Sequence, residues 1–156
     1  MIRKIWSGER SLRFDGEYYH LAGAQGGPVP LEPIGIWLGA YRPRALALTG
    51  AAADGWVPSF RGDFAALAGM ARRLDQAAAD AGRDPFEIRR VLNVSGTITD
   101  TTSEGPLNGP LAQWVDELSE LADSYGFDTF ILWNDDPTQL DRFAHEVVPA
   151  LRSGVG

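Results

Sequence analysis

Residues 34–59 read IGIWLGAYRPRALALTGAAADGWVPS, and this stretch decides the fold. An apolar run ends at Gly39-Ala40, a helix-forming run begins at Pro43, and a second short apolar run follows Asp54-Gly55. The order strand, helix, strand predicts a right-handed parallel crossover. Ligands of such folds bind beyond the carboxyl ends of the strands, so the turn Gly39–Arg44 is the first candidate for a ligand contact.

The composition is that of an acidic globular protein. The chain has 156 residues, enough for one domain or a piece of a larger one, and 44% of them are hydrophobic. The formal net charge is −7, which argues against nucleic acid as a partner. No run approaches the ~20 apolar residues of a membrane helix, so we expect no membrane partner and a cytoplasmic location.

Few residues of this sequence offer catalytic or metal chemistry. There is no cysteine, which excludes disulfides and thiolate sites, and the two histidines, His20 and His145, are too far apart to indicate a metal centre. His20 falls in a predicted hairpin and His145 off the apolar stripe of a helix, so a surface role is favoured for each. Asp135-Asp136 resembles a catalytic pair, but Pro137 follows, which favours helix capping.

Residues 1–33 are predicted to hold an incomplete helix, a hairpin and a connection rich in proline and glycine. Ile2 and Ile5 have helical spacing, which predicts the last turns of a helix whose beginning is absent. A strand ending at Phe14 and a second over Glu17–Leu21 form the hairpin. Gly23–Pro33 is the irregular connection.

Residues 34–156 are predicted to form four strand–helix units, within a single domain 1–156. The strands are expected near 34–39, 56–59, 88–99 and 127–133, the last of them buried. Asp63 should cap a long helix that ends before Gly82, and a second long helix should end at Gly126. Each should bury an apolar stripe: Phe64, Leu67, Met70 or Ala71, Leu74 and Ala78 in the first, and Leu111, Trp114, Val115, Leu118, Leu121 and Ala122 in the second. Gly96 suggests a bend or a close approach, and residues 100–110 read as a mobile loop. The last helix should bury one stripe, formed by Leu140, Phe143, Ala144, Val147 and Leu151.

Four such units make an α/β fold equal to half of a TIM-type (β/α)8 barrel, preceded by a short hairpin. A small doubly wound sheet has the same rhythm of strands and helices. The residues alone leave both architectures open.

Several segments, in order, resemble the C-terminal half of the luciferase-like monooxygenase family. They are WSGE, FDGEYYHL, the 34–59 stretch, AGRDP and QWVDELSELADSYGFDTFILW, and the likeness runs from Ile5 to Arg152. The family consists of eightfold barrels that use reduced FMN or the deazaflavin coenzyme F420. The resemblance therefore implies a flavin- or deazaflavin-dependent oxidoreductase, of monooxygenase or hydride-transfer type.

The resemblance also implies a cofactor-binding set in the central turn. In the family, the turn equivalent to Gly39, Ala40 and Tyr41 places backbone N–H groups near the cofactor phosphate. A helix start favours an anion, and Arg42 or Arg44 adds charge-assisted bonds. The simpler reading is a tight turn with solvated arginines. At other strand ends, Trp56, Ser59 and Trp133 either line a pocket or, for the tryptophans, pack in the core.

The resemblance implies that the isoalloxazine pocket and the catalytic residues belong to the N-terminal half of the barrel, which this sequence lacks. The catalytic residues are therefore unknown, and the isolated chain is not expected to be active. Half a barrel leaves two unpaired strand edges and an apolar inner face. We expect a homodimer or a separately encoded N-terminal half-barrel to cover them. The alternative is a non-catalytic half-barrel interaction module derived from the family.

Overall fold

The computed structural model describes residues 1–101 and 103–153, and the chain divides into two compact units, Met1–Ile34 and Gly35–Gly156. Thr102, in the predicted 100–110 loop, and the last three residues of the predicted 34–156 segment lie outside the described residues. In the described ranges, no helix is both long and apolar enough to cross a membrane.

The first unit contains the predicted hairpin. After a short helix, α1 (Ile2–Ile5), strands β1 (Leu12–Asp15) and β2 (His20–Ala24) pair antiparallel. The second strand begins at His20 rather than Glu17, and Asp15 pairs with His20 in the ladder. The Nδ1 atom of His20 lies 2.5 Å from a carboxylate oxygen of Asp15, which ties the two strand ends together.

The second unit alternates strands and helices around one parallel sheet. In chain order its elements are β3 (Trp37–Leu38), α2 (Pro43–Ala52), β4 (Gly55–Trp56), α3 (Phe64–Asp80), a 3₁₀ turn (Pro85–Glu87), β5 (Arg89–Val94), β6 (Thr97–Ile98), β7 (Asn108–Gly109), α4 (Leu111–Tyr125), β8 (Thr129–Leu132), α5 (Pro137–Arg142), a π turn (Phe143–Val147) and α6 (Val148–Ser153). The four-stranded sheet has the order β3-β4-β5-β8, and each neighbouring pair is parallel.

The strands of this sheet are shorter than the sequence predicts. Just before β3, Asp54 takes the hydrogen bonds that a longer strand would make with its neighbour. Its carboxylate accepts from the Ile36 N–H at 2.6 Å, and its own N–H donates to the Ile36 carbonyl at 2.8 Å. Pro58 has no N–H to donate, so β4 continues only as an isolated bridge from Ser59 to Asn93.

The two long helices follow the sequence closely. The carboxylate of Asp63 accepts from the Ala66 N–H at 2.8 Å, which caps α3, and Gly82 follows the helix with a φ of 71°. Helix α4 ends on Gly126 with a φ of 70°. The predicted apolar stripes face the core, where Phe64, Met70 and Leu111 are partly buried and seven members are buried: Leu67, Ala71, Leu74, Ala78, Trp114, Leu118 and Leu121.

The predicted stripe of the last helix is only partly correct. Val147 is fully buried and Phe143 packs edge-on against the ring of Trp114, but Leu140 is 43% exposed and Ala144 is exposed. The π turn Phe143–Val147 explains the difference, because a turn with i→i+5 hydrogen bonds rotates the residues before it relative to those after it.

The predicted 100–110 loop contains ordered structure that the sequence analysis missed. β6 and β7 pair parallel, and the chain between them returns past Gly96, where a Cβ would lie 1.8 Å from the Leu107 carbonyl oxygen. The predicted close approach at Gly96 is thus confirmed. Leu107 is buried with a φ of 54°, and its N–H donates to the Glu117 carboxylate at 2.6 Å.

Helices cover one face of the four-stranded sheet, where Trp56, Leu92 and Val94 lie in the core. We call the other face the open face. Trp37 lies across Gly55 on this face, since a Cβ at Gly55 would be 2.7 Å from its ring. The strand register and alternation place Ile131 and Trp133 on the same side. The prediction of a buried strand at 127–133 is therefore wrong on one face, because Ile131 is 43% and Trp133 is 67% exposed. Trp37 of β3, on the same face, is 46% exposed.

Helices α2 and α3 pack with their backbones in close contact. Gly50 of α2 faces α3. A Cβ there would lie 2.4 Å from the Leu74 carbonyl oxygen and 2.9 Å from the Ala78 nitrogen.

Replacing Gly50 with alanine is expected to lower the free energy of unfolding by about 1–3 kcal/mol, because the added methyl must displace helix backbone. Urea unfolding followed by circular dichroism measures the effect. Gly69→Ala in α3 is the matched control, because a Cβ there would meet no atom within 4 Å. It is expected to stabilise the fold by about 0.5–1 kcal/mol. Similar values for the two variants would contradict the close packing of α2 on α3.

An ion pair joins the amino ends of β5 and β8. The Arg89 guanidinium donates to the Asp128 carboxylate at 2.8 and 3.1 Å. Partial burial raises the pKa of Asp128, but hydrogen bonds from Arg89, Thr129 and the Arg90 N–H outweigh it, and the net pKa is lowered. The stability that this carboxylate contributes is complete above its unfolded pKa and is lost as the pH falls through the folded pKa.

We expect Asp128→Asn to lower the unfolding free energy at pH 7 by a few tenths to about 1 kcal/mol, the usual range for a partly exposed pair. The difference from wild type should shrink below about pH 4, where the unfolded-state carboxyl also becomes protonated. Denaturant unfolding between pH 7 and 3 measures it. In an Arg89→Gln background the difference at pH 7 should already be smaller. A difference that does not change with pH would contradict the linkage.

Candidate functional site

The turn predicted to bind a ligand lies at the carboxyl end of β3, and a hydrogen bond from a core residue fixes its position. Ala40 is 3% exposed, and its carbonyl accepts from the Trp56 indole N–H at 2.9 Å. Trp56 is fully buried. Of the two predicted roles for this tryptophan, packing is observed, and the indole also fixes the position of the turn.

The turn is also joined to the loop that follows β4. The Ser59 N–H donates to the Tyr41 hydroxyl oxygen at 2.8 Å. Arg61, in the same loop, places its guanidinium carbon 5.5 Å from the centre of the Tyr41 ring, which is within cation–π range. Tyr41 therefore connects the loops at the ends of two adjacent strands.

The first turn of α2 has no side-chain cap. Arg42 stands at the N-cap position with extended backbone, makes no capping hydrogen bond, and is followed by Pro43. By contrast, Asp63 caps α3 and Asp136 caps α5 through hydrogen bonds to backbone N–H groups. Helix starts leave unpaired N–H donors and carry partial positive charge, so an arginine on each side of Pro43 makes this one strongly electropositive.

Gly39 leaves backbone accessible at this point. It is exposed, and the nearest atom that a Cβ would meet is the Val57 carbonyl oxygen at 3.4 Å. Unpaired donors, positive charge and an accessible backbone suit a phosphate group. Gly39, Tyr41, Arg42 and Arg44 are exposed and thus fit an anionic ligand, whereas Ala40 is buried in the turn.

Strand β6, which follows β5, is joined to helix α5, which follows β8. The Gln139 side-chain amide makes two hydrogen bonds with the backbone of Ile98, and Arg142 donates to the Ile98 carbonyl at 3.0 Å. Arg142 also bonds Glu146, which lowers the pKa of that carboxyl. In β5, the backbone N–H of Asn93 donates to the Pro58 carbonyl at 3.0 Å, which joins β5 to the segment after β4.

The remaining candidates of the sequence analysis separate into surface and capping roles. His20 and His145 are exposed beside Asp15 and Asp141. The carboxylate of Asp136 accepts from the Thr138 N–H at 2.8 Å, so the predicted capping role is confirmed. Trp133 is exposed rather than packed. Among the described residues, no group of three His, Asp or Glu side chains could hold a metal ion.

Sequence reasoning missed Arg61 and the role of Trp56 as a donor to the turn. Both depend on contacts between residues 16 or more positions apart, from Ala40 to Trp56 and from Tyr41 to Arg61. The only local signal was the placement of SFRG directly after a predicted strand end, where ligand loops occur.

Comparison with known families gives a match over most of the chain. The model of the luciferase-like monooxygenase family matches residues 1–105. This segment includes the hairpin, the turn at Gly39–Arg44, the loop with Arg61 and strand β5.

The curated relatives that match include F420-dependent glucose-6-phosphate dehydrogenases. Those of Gordonia bronchialis and Mycobacterium leprae are each 32% identical over 95 residues, which is 60% of this chain and 28% of the relative. The one from Nakamurella multipartita is 40% identical over 57 residues. The matched part is therefore less than a third of the length of these relatives.

Solved structures share the fold at low identity. An F420-dependent secondary alcohol dehydrogenase, in complex with an F420-acetone adduct, superimposes with a TM-score of 0.79 at 17% identity. The match covers 97% of this chain and 59% of that one. The coenzyme F420-dependent tetrahydromethanopterin reductase from Methanopyrus kandleri gives a TM-score of 0.76 at 14% identity, over 96% of this chain and 60% of its own.

Proposed function

Because the chain belongs to the luciferase-like monooxygenase family, we propose that it serves a flavin- or deazaflavin-dependent oxidoreductase reaction, with FMN or F420 as cofactor. The observation that carries the proposal is the uncapped, arginine-flanked start of α2 at the carboxyl end of the sheet. Gly39, Ala40, Tyr41, Arg42 and Arg44 are proposed to hold the cofactor phosphate. When bound, such a cofactor supplies the redox step, and the protein orients it and excludes water.

The residues divide the task of holding the phosphate. Gly39 and Ala40 offer backbone N–H groups in a turn that Trp56 fixes from the core. Arg42 and Arg44 supply positive charge, which is unfavourable at a helix start unless an anion is present. Tyr41 joins the turn to the loop after β4 and so limits movement of both.

We further propose that residues 34–156 are a half-barrel of four βα units that needs a second half for activity. Two observations support this. Trp37, Ile131 and Trp133 are exposed on the open face, and β3 and β8 have no neighbour on their outer edges among the described residues. A groove of about 810 Å³ beside β8, with Phe130 and Leu151 in its lining, adds apolar surface at that edge. The second half is either another copy of the chain or a separately encoded N-terminal half-barrel.

A non-catalytic interaction module is the second candidate function. The exposure of Trp133 favours it, because an aromatic side chain 67% exposed on a sheet face is suited to a protein contact whether or not a cofactor binds. Cofactor titration separates the two candidates.

Titration of the purified chain with FMN and with F420 is expected to show saturable binding of one of them. Arg42→Gln and Arg44→Gln should each weaken it about two- to fivefold, because a charge at a helix start contributes about 0.3–1 kcal/mol. Arg73→Gln, which changes an exposed arginine on α3, is the matched control and should leave the affinity unchanged. Failure of both cofactors to bind, also in the presence of a candidate second half, would favour the interaction module.

Size-exclusion chromatography with light scattering is expected to show a dimer, or a 1:1 complex once a second half is supplied. Trp133→Lys should weaken this association, because a charge would be placed in the apolar contact. Phe86→Lys replaces a residue that is 91% exposed away from the open face and serves as the control. A monodisperse monomer that binds no second half would sink the proposal.

A further inference from the structure

Arg61 is placed by an aromatic ring rather than by an acidic partner. Its guanidinium lies over Tyr41, and the hydroxyl of that ring is held by the Ser59 N–H. The ring belongs to the turn after β3 and the cation to the loop after β4. Each loop therefore restricts the other, and Arg61 is directed to the same end of the sheet as Arg42.

The hydrogen-bond donors of Arg61 are not used within the part of the chain that the structure describes. Arg83 donates to two carbonyls at the end of α2, and Arg89 and Arg142 bond carboxylates. Asp63 is the acidic residue nearest to Arg61 in sequence, and its carboxylate is engaged as the cap of α3. Arg61 is exposed and its described contact is with the Tyr41 ring, so its N–H groups stay accessible to an anion.

We propose that Arg61, positioned by Tyr41, is the residue that selects a phosphate-bearing ligand at this end of the sheet. The proposal rests on the proposed function, since it adds a residue to the same site. Stacking on Tyr41 restricts the side chain before the ligand arrives, so less rotamer entropy is lost on binding than for a freely moving arginine. A planar guanidinium also offers paired N–H donors that match phosphate oxygens.

Tyr41 is a positioning residue in this scheme. Its hydroxyl accepts from Ser59 and its ring supports the cation, so neither group needs to touch the ligand. The hydroxyl and the ring can be tested separately. Tyr41→Phe removes only the acceptor for the Ser59 N–H, and Tyr41→Leu also removes the aromatic face below Arg61.

The test compares FMN with riboflavin, which has the same ring system and no phosphate; if the chain binds F420 instead, F420 is compared with its phosphate-free deazaflavin core. Dissociation constants are measured by flavin fluorescence for the wild type, Arg61→Ala, Arg61→Lys and the two Tyr41 variants. Arg73→Ala is the matched control, because Arg73 is an exposed arginine on α3. All variants are first checked for folding by circular dichroism and thermal unfolding.

Arg61→Ala is expected to weaken FMN binding about tenfold or more, the usual effect of losing a charged hydrogen bond, and to leave riboflavin binding unchanged. Arg61→Lys should keep part of the preference for FMN, since the charge remains but the paired donors are lost. Tyr41→Leu should reduce the preference more than Tyr41→Phe. The FMN dissociation constant should also depend less on salt in Arg61→Ala than in the wild type.

The outcomes separate this inference from the function on which it rests. If the wild type prefers FMN over riboflavin and Arg61→Ala keeps that preference, the role of Arg61 is overturned and the phosphate site at Gly39–Arg44 stands. If the wild type shows no preference for the phosphate-bearing form, or binds neither FMN nor F420, both proposals fail. Equal losses for FMN and riboflavin in Arg61→Ala would indicate a structural role and would also overturn the inference.

Discussion

The open face of the parallel sheet is the constraint on which the other features of this chain depend. Parallel strands are stable when apolar groups cover both of their faces, and here the helices of the chain cover one. Trp56, Leu92 and Val94 point into the covered side, and Trp37, Ile131 and Trp133 stand on the other. The same strands thus have one face buried in the core and one face with exposed apolar side chains.

The core side of the sheet and the candidate site are linked through Trp56. Its ring is buried against Phe127, with ring centres 5.4 Å apart, and its N–H fixes the Ala40 carbonyl. The turn that could hold a phosphate is therefore supported by the covered face, which is complete in this chain. The part of the site that faces the open side has no comparable support among the described residues. This agrees with the proposal that the chain holds the phosphate end of a site and needs a second half for chemistry.

The sequence predicted the elements whose signals are local. Asp63, Gly82 and Gly126 mark helix ends by capping chemistry, and the stripes of α3 and α4 repeat at helical spacing over 15 or more residues. The last helix follows no single spacing, because a π turn interrupts it. Leu140 and Ala144 were therefore assigned to the wrong face. β6 and β7 have two residues each, too few for an alternating pattern of apolar and polar residues. They are distant in sequence, and only the fold brings them together.

The candidate site divides in the same way between local and distant signals. The sequence singles out Arg42 and Arg44 as candidates because basic residues at a helix start are unfavourable without an anion. That signal comes from adjacent residues. Arg61 was not found, because its significance depends on the ring of Tyr41, 20 positions away, and on the engagement of Asp63 in a helix cap. Whether a charged residue is a candidate for ligand binding can be judged only once its contacts in the fold are known. Within the described residues, the contact with the Tyr41 ring distinguishes Arg61 from an exposed arginine such as Arg73, and only the structure shows that contact.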